Sequence, residues 1–307
     1  MGTTVNRLAL LLVLAGCAGV HASPPLVAQR VSSISASPAG IFLDHGFMVN
    51  AMSDAAIGKV TTWLQQRGFI YQMQNVGTLR SDGTMDPAGY TQLAHWIAVS
   101  RKTEPQQLII AYVSGSLTLV NTKSAWPNIA RTAQTFVQKY HVDGVNLDLE
   151  PYRPQAPNYI GLFKAVRAAI SSKAMLSLDY TADVRYVWSA SDYATISSYF
   201  EQIMPMLYDT TCKTASCYAN FIDKALSFES AHLGGHAQLY PLIPAYASSS
   251  YHDPSVENIC AAMNDIRKLG VRYDSAGVWW YYGWNATAER DWKTCGPLTQ
   301  LRGPADS

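Results

Sequence analysis

The sequence predicts an α/β protein folded as a single (β/α)8 TIM barrel over residues 40–307. Three observations predict it. Apolar strand-like runs alternate eight times with amphipathic helical stretches across short connections, which is the pattern of a parallel sheet. Eight such units in 307 residues suit a closed barrel better than an open doubly wound sheet. No glycine-rich phosphate loop follows the first strand, as a nucleotide-binding sheet would need.

Taken in order, the first strand is read at residues 41–43 and its helix at 54–66. The second unit is a strand at 69–73 and a helix at 87–100, and the third a strand at 108–113 and a helix at 126–140. The fourth pairs a strand at 144–150 with a helix at 159–171, and the fifth a strand at 175–179 with a short helix at 191–199. Strands at 202–208 and 238–243 precede helices at 218–231 and 254–269. The last strand is read at 277–282, followed by a helical piece at 286–293.

The ends of the chain are read differently. Arg7 and the apolar run Leu8 to Leu14 have the form of an export signal and are too short to span a bilayer. Leu14-Ala15-Gly16-Cys17 resembles a bacterial lipobox, which makes 1–16 a leader and Cys17 a lipidated N-terminus; cleavage after Ala22 is the alternative. Residues 17–39 are rich in Ser, Ala and Pro and read as a tether. The remaining cysteines, Cys212, Cys217, Cys260 and Cys295, are even in number, as in exported disulfide proteins. Proximity along the chain pairs Cys212 with Cys217 and Cys260 with Cys295, and no zinc-ligand spacing competes. These features predict an exported protein, periplasmic, outer-membrane-anchored or secreted, meeting a membrane only through a lipid on Cys17.

Formal net charge is +1, so there is no electrostatic case for nucleic acid or an acidic polymer as partner. A monomer is expected, and no cofactor or metal is called for. Charged residues are only 15% of the chain, whereas Tyr (18) and Trp (8) are plentiful; flat aromatic faces serve sugar clefts and large cores alike.

The fourth strand carries the sharpest signal. In Asp143-Gly144-Val145-Asn146-Leu147-Asp148-Leu149-Glu150, the polar residues 146, 148 and 150 alternate with apolar ones, so they share one face. Carboxylates on the inward face of a buried strand are costly unless they are used. Barrel sites lie at the C-terminal strand ends, which here offer Asp44, His45, Gln74, Asn75, Ser114, Glu150, Asp179, Tyr180, Tyr208, Asp209 and Tyr246, with Trp279, Trp280 and Tyr281 at strand eight. His45 alternatively only ties a loop, and Asp179 only caps the next segment.

These residues resemble glycoside hydrolase family 18, the chitinase family. Its fourth-strand signature Asp-Gly-x-Asp-x-Asp-x-Glu is matched by Asp143, Gly144, Asp148 and Glu150, with Asn146 where Asp is usual. Its Met-x-Tyr-Asp strand end is matched by Met206-Leu207-Tyr208-Asp209, and its Pro-x-Tyr by Pro244-Ala245-Tyr246, while Ser114-Gly115-Ser116 matches Ser-x-Gly-Gly only in part. The resemblance implies Glu150 as general acid and Asp148 as partner of the substrate's acetamido group, which itself attacks C1. Tyr208 would hold the acetamido carbonyl, with Asp209 assisting and Asn146 supporting Asp148. An amide at 146 is expected to leave Asp148 easier to ionise than a third acid would. Trp279, Trp280, Tyr281, Tyr246, Asp179, His45 and Asn75 are the candidate sugar contacts; counting along strand eight puts Tyr281, with Trp279 on the same face, at the floor of the site, and a one-residue slip puts Trp280 there.

The expected function is retaining, substrate-assisted cleavage of β-linked N-acetylglucosamine glycans, with an N-acetylated oligo- or polysaccharide as partner. Two other classes compete: a non-catalytic sugar-binding relative, and a barrel glycosidase that uses Glu150 with a distant carboxylate such as Asp179 or Asp209.

Overall fold

The computed structural model describes residues 38–151, 156–182, 188–247, 250–270, 273, 275–279 and 281–297. The leader at 1–16, Cys17, nearly all of the 17–39 tether and Trp280 lie outside the described residues.

The strands are β1 (Ala39–Leu43), β2 (Phe69–Thr78), β3 (Leu108–Ser116), β4 (Gly144–Glu150), β5 (Met175–Thr181), β6 (Gln202–Met206), β7 (Gln238–Leu239), β8 (Leu242–Pro244) and β9 (Gly277–Trp279). All pairings are parallel, and β9 pairs with β1, which closes the ring. Both β7 and β8 pair with β6, so together they form one interrupted seventh stave of an eight-stave barrel. Each stave is followed by a helix: α1 (Asp54–Gln66), α2 (Leu93–Thr103), α3 (Trp126–Lys139), α4 (Ala156–Ala169), α5 (Ala190–Ser197), α6 (Ala215–His232), α7 (Ile259–Leu269) and α8 (Ala286–Cys295).

The departures from the expected elements have local causes. The seventh stave breaks at Tyr240-Pro241, where proline has no N–H to give to a ladder. Helix α7 starts five residues later than 254 because the Asn258 side chain caps it, accepting from the Ala261 N–H at 2.9 Å. Thr214 caps α6 in the same way through the Cys217 N–H at 3.2 Å, so that helix starts earlier than 218. Strand β9 stops at Trp279, and Tyr281–Gly283 form a turn of 3-10 helix instead.

Alternation along the strands builds two separate cores. One face packs on the helices; on α3, for example, Ile129, Ala130, Ala133 and Phe136 form the buried stripe. The other face fills the barrel with Phe42, Tyr71, Met73, Ile110, Tyr112, Met204, Met206, Tyr240 and Leu242. Two glycines make room for this filling. A Cβ on Gly144 would lie 2.5 Å from the Met175 carbonyl oxygen, and one on Gly277 would lie 2.4 Å from Leu242 Cδ2.

Disulfides join Cys212 to Cys217 and Cys260 to Cys295, the second tying α7 to the end of α8. Among the described residues no helix is long and apolar enough to cross a membrane.

Candidate active site

The site is a column of inward side chains on β4, read against its neighbours by register. Asn146 is paired with Tyr112 on β3 and Ser177 on β5; Asp148 is paired with Ser114 and Asp179; Glu150 is paired with Ser116. Asn146 is fully buried, Asp148 is 7% exposed, and Glu150 reaches solvent at the rim. The strand thus carries its column from the packed interior to the mouth in two steps of about 6–7 Å.

At the bottom, Asn146 Nδ2 donates to Ser177 Oγ at 2.9 Å and to Asp179 Oδ1 at 2.8 Å, with Met204 Sδ 3.4 Å away. In the middle, the Tyr112 hydroxyl donates to Asp148 Oδ2 at 2.7 Å. Asp148 Oδ1 and Asn146 Oδ1 are buried without a hydrogen-bond partner among the described residues. Burial, then the charge of Glu150, raises the pKa of Asp148 from 3.8 to about 7, against the lowering effect of the Tyr112 hydrogen bond. Glu150 is raised as well, because enough of its carboxyl is shielded for desolvation to lead and the charge of Asp209 adds to it. Asp179, 1% exposed, is raised well above the ordinary aspartate value by burial and by Asp148. The sequence led us to expect an Asp148 that ionises readily because residue 146 is an amide. In the structure β5 brings a second carboxyl, Asp179, beside Asp148, and burial leads the upward shift of Asp148.

The mouth is aromatic. Trp279, at the end of β9, lies parallel to Tyr208 with ring centroids 5.9 Å apart and touches Phe42 at 5.1 Å and Tyr112 at 5.9 Å. Tyr208 stands edge-on to Tyr246 at 6.1 Å. Its own hydroxyl makes no hydrogen bond to the described residues, while the Tyr246 hydroxyl donates to Asp209 Oδ1 at 2.8 Å.

The loop leaving β6 is held in an unusual conformation. Asp209 and Thr211 have φ of 53° and 62°, the left-handed region that costs most residues free energy. A buried group compensates: Glu257 accepts from the Thr210 N–H at 3.2 Å and from its hydroxyl, and His252 Nδ1 donates to Glu257 at 3.1 Å. His252 stacks on the Tyr246 ring at 4.4 Å. Tyr246 and the β6 exit are therefore braced from one side by residues of the β8–α7 connection.

The other expected contacts fall out as follows. Asp179 lies beside Asp148 in the β4–β5 register, is 1% exposed, and accepts from Asn146. His45 Nδ1 donates to the Asn75 carbonyl at 3.0 Å, and Asn75 Oδ1 accepts from the Gly77 N–H at 3.0 Å, so both tie the rim loops together. Tyr281 does not sit over the barrel: its ring packs on Phe47 at 5.5 Å and Trp63 at 5.3 Å, on the helix side. The chain turns out of the strand after Trp279, which leaves that residue alone among Trp279 and Tyr281 at the mouth. Trp280 lies outside the described residues. No group of His, Cys, Asp or Glu suited to hold a metal ion is present among the described residues.

The family model for glycosyl hydrolases family 18 matches residues 82–291. The chain belongs to glycosyl hydrolases family 18. Solved structures similar to this family-18 chain include a chitinase from Bacteroides thetaiotaomicron, with 12% identity over 88% of this chain and 99% of the other and a TM-score of 0.65. A class V chitinase from Pseudomonas fluorescens Pf-5 shares 11% identity over 84% of this chain and 98% of its own, with a TM-score of 0.61. The spore cortex-lytic enzyme SleL of Bacillus megaterium shares 11% identity over 84% and 73%, with a TM-score of 0.60. At such identities the likeness is one of fold. No curated protein matches the sequence.

Tyr112, Ser177 and Met204 touch the β4 column and were not singled out from the sequence. Tyr112 was within reach: it precedes the strand-end Ser114 by two, so it shares the inward face. Ser177, two before Asp179, had the same signal. Glu257 and His252 had none, because their place depends on how the β8–α7 connection folds back.

Proposed function

We propose that this chain is a retaining glycosidase that cleaves β-linked N-acetylglucosamine-type glycans with the help of the substrate's own acetamido group. The observation that carries the reading is Asp148: a buried carboxylate with one oxygen held by Tyr112 and the other without a hydrogen-bond partner among the described residues, directly below a solvent-facing Glu150. A group so placed is ready to take an acetamido N–H and to stabilise the cation that forms as the glycosidic bond breaks. Glu150, raised by burial and by Asp209, keeps a proton for the leaving oxygen and later takes one from water. Tyr208, its hydroxyl uncommitted, would hold the acetamido carbonyl; Asp209 and Tyr246 would position it, and Trp279 would floor the sugar. Asn146 supports Asp148 from below.

A pair of carboxylates flanking the substrate is less well supported. Asp179 is buried beside Asp148, and Asp209 is engaged by Tyr246. The scope of acetamido glycans stays broad: chitin, chito-oligosaccharides, cell-wall glycans and N-glycan cores all carry the needed group. The β8–β9 connection carries only α7 as regular structure among the described residues, which favours an open groove and accessible chains. Two disulfides and the leader-like N-terminus favour an exported enzyme, lipid-anchored through Cys17 or secreted.

The test is cleavage of chito-oligosaccharides beside the same oligomers with the N-acetyl groups removed. Turnover of the acetylated series alone is expected. Cleavage of the deacetylated series would replace this reading with a two-carboxylate one, and binding without turnover of either would make the protein a lectin. Trp279→Ala is expected to raise KM by roughly tenfold, since stacking on an aromatic face contributes about 1 kcal/mol or more. Unchanged KM would remove Trp279 from the sugar floor.

A further inference from the structure

Residue 146 is an amide where the family signature usually has an acid, yet the amide is not simply a weaker substitute. Its two N–H groups face β5, and one of them grips Asp179 Oδ1 at 2.8 Å. Asp179 is the register partner of Asp148 across the β4–β5 ladder, and it is 1% exposed. Among the described residues no cationic group is among the causes acting on it. The titratable groups acting on it or acted on by it are Asp148 and Glu150 from β4, Tyr112 from β3 and Tyr208 beyond β6. A bare carboxylate there would be an uncompensated buried charge beside another. A protonated one has an O–H that needs an acceptor, and the column holds a buried carboxylate oxygen in want of a donor, Asp148 Oδ1.

We infer that Asp179 is a positioning residue for the reaction: from β5 it supplies the second acid of the column, its carboxyl O–H bridging to Asp148, while Asn146 clamps its other oxygen. The acid usual at position 146 has in effect moved one strand sideways, and the amide left behind orients it. In the free protein the bridge holds Asp148 down against Asp179 and Tyr112. One proton is shared in that bridge; when substrate arrives, the acetamido N–H draws Asp148 away and the shared proton stays on Asp179, a transfer that an amide at 179 cannot make. Two coupled carboxyls of this kind take up protons as a pair, in two separated steps, and not one by one. This inference rests on the glycosidase reading for its kinetic consequence but not for its titration.

The experiment follows the carboxyl carbons of Asp148 and Asp179 by NMR across pH in the full chain, together with kcat against pH on a chito-oligosaccharide. The chains compared are the native one, Asp179→Asn, and the swap Asn146→Asp with Asp179→Asn. In the native chain both signals should report the same two steps. Asp179→Asn keeps the size and the acceptor that Asn146 needs; it should remove the upper step, leave Asp148 with a single titration, and lower kcat about 10- to 100-fold with little change in KM. The swap should restore the second step and most of kcat, which a merely structural role for Asp179 would not do. An Asp148 titration unchanged by Asp179→Asn, or a swap as slow as the single variant, would overturn the inference. A native chain inactive on every acetamido glycan would overturn the glycosidase reading instead, and the titration would still decide the coupling.

Discussion

Glu150→Gln is expected to lower kcat on an acetamido oligosaccharide by about 10²- to 10⁴-fold, the usual worth of a general acid. KM should stay within a few-fold, because the amide keeps the side chain's size and its place at the rim. The fold should be untouched, since Glu150 is solvent-facing at the end of β4. A companion measurement reads the cause. The active form has Glu150 protonated, and its raised pKa is what keeps it so towards neutral pH. Activity should therefore fall as pH rises through that raised value. Asp209→Asn removes the charge that helps raise it, so the alkaline limb of kcat/KM should move to lower pH. Full activity in Glu150→Gln would remove this residue from the acid's role.

Asp148→Asn is expected to do two opposite things. It should lower kcat by roughly 10²- to 10³-fold, because an amide cannot balance the developing positive charge. It should also stabilise the protein at neutral and alkaline pH. Asp148 holds its proton up to about 7 when folded and only to 3.8 when unfolded. Between those values the folded state binds more protons than the unfolded state, so stability falls as pH rises through that window. The native chain therefore loses stability across this window, by an amount on the order of a few kcal/mol. The variant has no such loss. Urea unfolding at a series of pH values should show it more stable than the native chain near pH 8, with the difference closing towards pH 4. A difference that is flat with pH would mean that Asp148 does not carry this cost. The pairing of lost activity with gained stability is expected where a site holds a buried charge for use.

Much of the site could be read along one strand. Asn146, Asp148 and Glu150 share a face because side chains alternate, and alternation needs no knowledge of any other strand. The Met206-Leu207-Tyr208-Asp209 end and the Cys212–Cys217 pair were legible as residues close in sequence or in a short pattern, and Cys260 and Cys295, 35 residues apart, were the two cysteines left to pair. Strand eight shows where this stops. Counting by twos made Tyr281 the floor of the mouth, but counting assumes that the strand continues. Phe47 and Trp63 offer Tyr281 an apolar seat on the helix side, and the chain turns out after Trp279 to use it. Local alternation cannot report that competition.

The barrel, its strand order and the inward column on β4 follow from patterns with periods of two and about four residues, which are local properties of the chain. What surrounds that column follows from closure and register, which bring together residues far apart in sequence. Tyr112 lies 36 residues from the Asp148 it binds, and Asp179 lies 33 from Asn146. Those two contacts add to the reading of residue 146. Along the strand it is an acid missing from a signature; across the sheet it is the donor that holds an acid supplied by the next strand, in a site where burial sets the proton balance.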